Sequence, residues 1–188
     1  QRGPEAVAEN NATMASITRF IDRYDFPKPV IGRINGAARG GGFEVALACD
    51  LVVAAEHASF ALPEPKRGIY AGGGGVHRLP RQLPLKLAME YLLTGKEMTA
   101  AEALEHGLVN RVAPTAGLDD AVNELIDQIM ACAPLSIQAT KQAAMRGLDM
   151  GLGDALVAEY PAVVEMMASA DAKEGPLAFS EKRAPHWT

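Results

Sequence analysis

Between residues 12 and 24 the apolar side chains Met14, Ile17, Phe20, Ile21 and Tyr24 recur at helical spacing, which predicts a helix ended by Pro27 and Pro29. The polar residues 1–12 before it show no period and read as a frayed lead-in. Residues 30–34 read as a short strand closed by the turn pair Asn35-Gly36. After Gly40-Gly41-Gly42, the apolar run 43–49 predicts a buried helix. Residues 51–55 predict a buried strand, with a shorter one at 59–61. Four consecutive glycines, 72–75, predict a loop whose backbone turns tightly or approaches something closely.

Helical patterning dominates from there. Residues 85–93 are amphipathic, and Thr99-Ala100-Ala101-Glu102 has the spacing of a capping box. Gly107 stands where a helix end favours positive φ. Residues 108–112 predict one more strand, ended by Pro114. Beyond Leu118 the pattern is almost wholly helical, interrupted at Pro134 and at Gly151 and Gly153. Strand–helix alternation followed by helices alone describes an α/β body with a helical appendage, divided into residues 1–117 and 118–188. The methionines of the last stretch (Met130, Met145, Met150, Met166 and Met167) suit either adaptable core packing or a subunit interface.

Composition narrows the function classes. With 188 residues, 48% hydrophobic and 22% charged, the chain has the make-up of a folded globular protein rather than a disordered one. Eighteen basic against 23 acidic residues leave a net charge of −5, which disfavours nucleic acid as a partner. No apolar run approaches the ~20 residues a membrane helix needs. Cys49 and Cys132 form no C-x-x-C pair, so a disulfide scaffold and a cysteine zinc site are not expected, and a reducing cytoplasm fits. No leader peptide is expected at the start, and an opening Gln1 suggests a fragment or processed form.

Two acids draw attention as candidate chemistry. Glu44 is the lone charge in an apolar helix, placed in its first turn just after Gly41 and Gly42. It reads as an anion paired with the helix dipole, or as a catalytic carboxylate beside unpaired backbone N–H groups that could hold an oxyanion. Glu64 follows Pro63 after a strand, which suits an ordinary helix start. Two carboxylates meeting in an apolar cleft would instead divide water activation and carbon-proton exchange between them. Nucleotide loops fail on spacing. Gly72–75 is followed by Val76-His77-Arg78 rather than Lys-Ser or Lys-Thr, and neither glycine run completes a dinucleotide fingerprint. The four histidines lack metal-ligand spacing, and no G-x-S-x-G is present. Five basic residues between Glu64 and Ala88 suit a solvated surface or an anionic ligand.

The ordered segments Lys28-Pro29-Val30-Ile31, Asn35-Gly36 and Gly40-Gly41-Gly42-Phe43-Glu44-Val45-Ala46-Leu47-Ala48-Cys49-Asp50 resemble the core signature of the crotonase (enoyl-CoA hydratase/isomerase) family. The likeness continues through Ala58-Ser59-Phe60-Ala61-Leu62-Pro63-Glu64, the 72–75 glycines with Arg78-Leu79, Leu93-Thr94-Gly95 and Ala100-Ala101-Glu102-Ala103. It ends with Gly107-Leu108-Val109 and the tail Glu174-Gly175-Pro176-Leu177-Ala178-Phe179-Ser180-Glu181-Lys182-Arg183. Local phrases are most similar to the carnitinyl-CoA dehydratase-like branch.

The resemblance implies a spiral of ββα units followed by C-terminal helices that build trimers or hexamers. It implies an acyl-CoA thioester as substrate, with no cofactor beyond that CoA. The implied activity is enoyl-CoA hydratase, equivalently 3-hydroxyacyl-CoA dehydratase. Isomerisation and a non-catalytic acyl-CoA-binding role are the alternatives. It places an oxyanion N–H at Gly41, the two working acids at Glu44 and Glu64, and a backbone N–H near the reacting water at Gly72. Phe179 and Lys182 match tail residues that reach a neighbouring subunit's CoA. Arg39 stands where relatives carry an apolar residue. The resemblance begins at Lys28, so the family's N-terminal strands, with the second oxyanion donor, are not expected within this sequence.

Overall fold

The β-branched run that follows Asp50 becomes the middle of a sheet. The structure is a computed structural model and describes residue 5 and residues 26–188. Apart from residue 5, the expected lead-in over 1–12 and the expected helix over 12–24 lie outside the described residues. Strand β1 (Ile31–Ile34) pairs in parallel with β3 (Leu51–Ala55), Gly32 opposite Val52, and β3 pairs in parallel with β6 (Arg111–Ala113). Val53, Ala54 and Ala55 are completely buried, as a parallel strand covered on both faces requires. Two side chains pin this register. Asp50 accepts the Val30 N–H while its own N–H donates to the Val30 carbonyl, and Asn110 does the same for Val52.

A second sheet runs β2 (Ala37–Arg39), β4 (Ser59–Ala61) and β5 (Met98–Thr99), with β2 parallel to β4 and β4 antiparallel to β5. From β1 to β4 successive strands alternate between the sheets, β5 then pairs with β4, β6 returns to β3, and each sheet grows in chain order. That is a spiral of ββα units. Helix α1 (Gly41–Ala48) follows β2, and after β4 come a 3₁₀ turn (Glu64–Arg67), α2 (Gly75–Gln82) and α3 (Leu85–Thr94). Helix α4 (Ala100–Glu105) joins β5 to β6. The core gathers Phe43, Phe60, Leu62, Leu79, Met98 and Leu118, with the Phe43 and Phe60 rings 5.3 Å apart.

Several elements depart from the sequence pattern. Strand β2 was not expected; it is three residues long and buries only Ala38, too little for a period to show. The glycine run is not all loop, since α2 begins at Gly75 behind a Gly74 at φ 113°. The strand expected at 108–112 starts only at Arg111. Gly107 at φ 75° turns the chain so that the Gly107 N–H donates to Leu104 and the Leu108 N–H to Ala103, a Schellman closure of α4. Leu108 and Val109 are therefore buried as the end of a helix rather than as a strand. The capping box is present as expected, with the Glu102 N–H on Thr99 Oγ1 and the Thr99 N–H on Glu102 Oε2.

Contacts divide the described residues into two units, Val30–Val122 and Asn123–Thr188, the latter including 26–29. Helix α5 (Leu118–Met130) runs across that division. In the second unit α6 (Pro134–Gly147) packs on α8 (Pro161–Ala168), and Gln142 accepts the Ala162 N–H. A short α7 (Leu152–Val157) joins them, and α9 (Asp171–Glu181) follows α8. Gly153 lies inside α7 instead of breaking it, and the unforeseen breaks fall before Pro161 and at Ser169. A proline first in a helix is where its missing N–H goes unnoticed. Met130, Met150 and Met167 are exposed, so they do not pack a core within this chain. No helix among the described residues is long and apolar enough to cross a membrane.

Candidate active site

Helix α1 starts without a side-chain cap. Its N-cap is Gly40, at φ 53°, whose carbonyl accepts the Phe43 and Glu44 N–H groups. The Gly41 and Gly42 N–H groups have no hydrogen-bond partner among the described residues. They are the outward donors that a helix start leaves over, at the positive end of its dipole. Sequence reasoning placed the oxyanion donor at Gly41, and the structure makes Gly41 the first residue of the helix.

Glu44 is 2% exposed, among the most buried side chains of the protein. Its Oε1 accepts the Gly75 N–H at 2.9 Å, so a residue 31 positions away supplies the compensation that a buried carboxylate needs. The glycines explain themselves here. A Cβ on Gly73 would lie 2.5 Å from Glu44 Oε2, and one on Gly75 would lie 2.9 Å from Leu62 and 3.2 Å from Glu44 Cγ. Gly74 needs its positive φ, and its missing Cβ leaves the space that the Arg78 guanidinium fills; Arg78 Nη1 donates to the Gly73 carbonyl at 3.0 Å. The expected close approach of this backbone is thus an approach to Glu44. Gly72 opens the same turn, and its N–H has no partner among the described residues.

Glu64 begins the 3₁₀ turn after β4 and reaches Gly40, where an added Cβ would sit 2.8 Å from Oε1. Its Oε2 is buried with no hydrogen-bond partner. Burial raises the Glu64 carboxyl above its ordinary range and the nearby charge of Glu44 raises it further, while a bond from its own backbone N–H opposes both. The two acids therefore feel each other electrostatically. One is fixed by a backbone donor and the other holds its proton more tightly, which is the division of roles an acid–base pair needs.

Sequence reasoning singled out Glu44, Glu64, Gly41 and Gly72 but did not single out Gly40, Gly73 and Gly75 as the residues that make room for the two carboxylates. The glycine runs themselves were the only signal. Arg39 forms an ion pair with Glu97, half exposed, at the end of β2. Phe179 and Lys182 belong to the second unit, in the last turn of α9 and at its C-cap. Phe179 is 87% exposed, and Lys182 is the one non-glycine residue at positive φ among the described residues. No group of three or more His, Cys, Asp or Glu that could hold a metal is found among the described residues.

Carnitinyl-CoA dehydratase from Salmonella arizonae is 47% identical over 175 residues, covering 89% of this chain and 66% of that protein. The enzyme of the same name from Proteus mirabilis is 45% identical over the same shares. The chain thus spans just under two thirds of the length of these dehydratases. An enoyl-CoA hydratase structure from Bacillus anthracis superposes with a TM-score of 0.90 at 35% identity, covering 99% of this chain and 71% of that one. One from Mycobacterium tuberculosis H37Rv gives 0.82 at 42% identity, covering 88% and 66%. The family description enoyl-CoA hydratase/isomerase matches residues 7–188. On fold and sequence, this chain belongs to the enoyl-CoA hydratase/isomerase family, with the crotonase fold.

Proposed function

We propose that this protein adds water across, or removes it to form, the 2,3 double bond of an acyl-CoA thioester. The observation that carries the reading is a pair of carboxyl groups, the buried Glu44 held by the Gly75 N–H and the half-buried Glu64 set against Gly40 with its proton affinity raised, in part by the charge of Glu44. In hydration the Gly41 N–H holds the thioester oxygen as it takes up enolate charge. Glu44 accepts a proton from water as the oxygen attacks Cβ, with the Gly72 N–H near that water. Glu64 delivers its proton to Cα, and solvent exchange resets both acids. Water is consumed and nothing is oxidised, so no cofactor is needed beyond the CoA of the substrate.

The direct test follows the loss of the conjugated enoyl-thioester absorbance on the full chain across short to long acyl groups. Absence of turnover at every length sinks the reading. A product with a shifted double bond and no added water would assign isomerisation, and calorimetric binding without turnover would assign a non-catalytic binder. The 47% identity to carnitinyl-CoA dehydratase favours a second reading of the substrate, a 3-hydroxyacyl-CoA dehydrated in the manner of carnitinyl-CoA. Dehydration of carnitinyl-CoA measured against an unsubstituted 3-hydroxyacyl-CoA separates the two substrates.

The exposed Leu148, Leu152, Leu156 and Phe179 support assembly into a trimer or hexamer through the second unit, with Phe179 and Lys182 serving a neighbouring CoA. Sedimentation at micromolar concentration reads a trimer or hexamer, and a clean monomer refutes it. Two free cysteines and the acidic balance fit a cytoplasmic protein that binds no nucleic acid.

A further inference from the structure

Glu64 hangs from a single 3₁₀ turn, and such turns hold their side chains less firmly than helices do. Something must fix this one from behind. Two residues on, Lys66, itself exposed, donates from Nζ to the Gly95 carbonyl at 2.8 Å. Gly95 is the left-handed C-cap of α3, at φ 57°, with its N–H on the Tyr91 carbonyl. A Cβ there would lie 3.1 Å from Pro63 Cα and 3.3 Å from both the Leu62 carbonyl and Lys66 Cε. The helix end is therefore packed directly against the chain that enters the Glu64 turn.

We infer that Lys66 is a positioning residue for Glu64, clamping the turn to the end of α3 through the Gly95 carbonyl. The inference rests on the hydratase reading for its catalytic consequence but not for the clamp itself. The anchor is fixed at its far side as well. Two residues after Gly95, Glu97 pairs with Arg39, which adjoins the Gly40 that Glu64 faces. One loop thus ties together the strand end that carries Gly40 and the turn that carries Glu64. A bond from an ammonium to a carbonyl supplies what a neutral contact would not, since a charged donor holds its partner more strongly. With the clamp gone, Glu64 keeps its acid chemistry and loses its place, and displacement of about 1 Å costs up to roughly a hundredfold in rate.

The test compares Lys66→Met and Lys66→Arg with the unaltered chain by two measures, thioester turnover and amide hydrogen exchange at Lys66, Gly68 and Ile69. Those three amides close the turn onto Pro63, Pro65 and Glu64. In Lys66→Met, exchange at the three amides should rise roughly tenfold, and kcat should fall about tenfold to a hundredfold with KM within about twofold. Lys66→Arg, which keeps the charged donor, should restore both. Unchanged exchange overturns the clamp, and unchanged kcat, where Glu64→Gln abolishes turnover, overturns the positioning role. If Lys66→Met does not fold, Lys66→Gln is read by the same two measures, because its shorter amide also breaks the bond. If the unaltered chain turns over no thioester, the hydratase reading fails by itself, and exchange alone decides the clamp.

Discussion

The missing side chain of Gly73 is the space in which the Glu44 carboxylate sits, for a Cβ there would come within 2.5 Å of Oε2 and 2.9 Å of Cδ. Glu44 is too buried to retreat. Gly73→Ala should therefore push the carboxylate off the Gly75 N–H. We expect a rate loss on the order of a hundredfold and an overpacking cost of about 1–3 kcal/mol. Steady-state kinetics and denaturant unfolding of the variant check both figures, and unaltered turnover would mean that Glu44 has room the geometry denies it.

Glu44→Gln and Glu64→Gln keep the shape of each side chain and remove its acid–base chemistry. General acid–base groups contribute typically about 10²–10⁴-fold, so each change should raise the barrier by roughly 3–5 kcal/mol. Because both acids serve one addition, the double variant should fall short of the product of the single effects. A merely structural first-turn Glu44 predicts the opposite, a loss of about 0.3–1 kcal/mol of stability with activity near normal. Rates and melting temperatures measured side by side separate these outcomes.

Two glutamates should report opposite pH dependence of stability. The folded-state carboxyl of Glu64 is raised, so its share of stability is full below the ordinary value of 4.5 and is lost as pH climbs through the raised one. Glu64→Gln should thus melt slightly higher than the unaltered protein at pH 7 and no higher at pH 4. Glu174 behaves in the reverse sense. The Arg183 fork and the His186 N–H hold it down to about 2, so its contribution is present above 4.5 and disappears as pH falls toward 2. Glu174→Gln should melt lower at pH 7 and converge with the parent toward pH 2. Melting curves across that range would refute either assignment by showing the wrong sign.

The capping box of α4 offers a control outside the site. Thr99→Ala removes the acceptor of the Glu102 N–H and should cost about 1 kcal/mol, a fall of about 2–4 °C in Tm for a chain of this size. Turnover at a temperature well below melting should stay unchanged. A kinetic defect there would show that α4 communicates with the site.

The pattern of the chain was enough to mark α1, β3, β4, α3 and the Thr99 capping box, because each depends on contacts a few residues apart or on one continuous apolar run. The amino-acid order also singled out Glu44 and Glu64, since an acid in an apolar segment must be compensated somewhere. It could not say by what. The Gly75 N–H that compensates Glu44 is 31 residues away, and the Gly40 that Glu64 faces is 24 residues back, so no local period encodes either meeting. Strand β2 escaped notice because three residues carry no rhythm, and Leu108 and Val109 looked like a strand because a helix closure can bury the same apolar pair. Lys66 read as one of several surface cations until the left-handed end of α3 placed a carbonyl within its reach. Local chemistry chose the acids and the glycines; the spiral of strands decided which glycine makes room for which acid, because only tertiary packing brings backbone donors and empty Cβ positions against a side chain so distant in sequence.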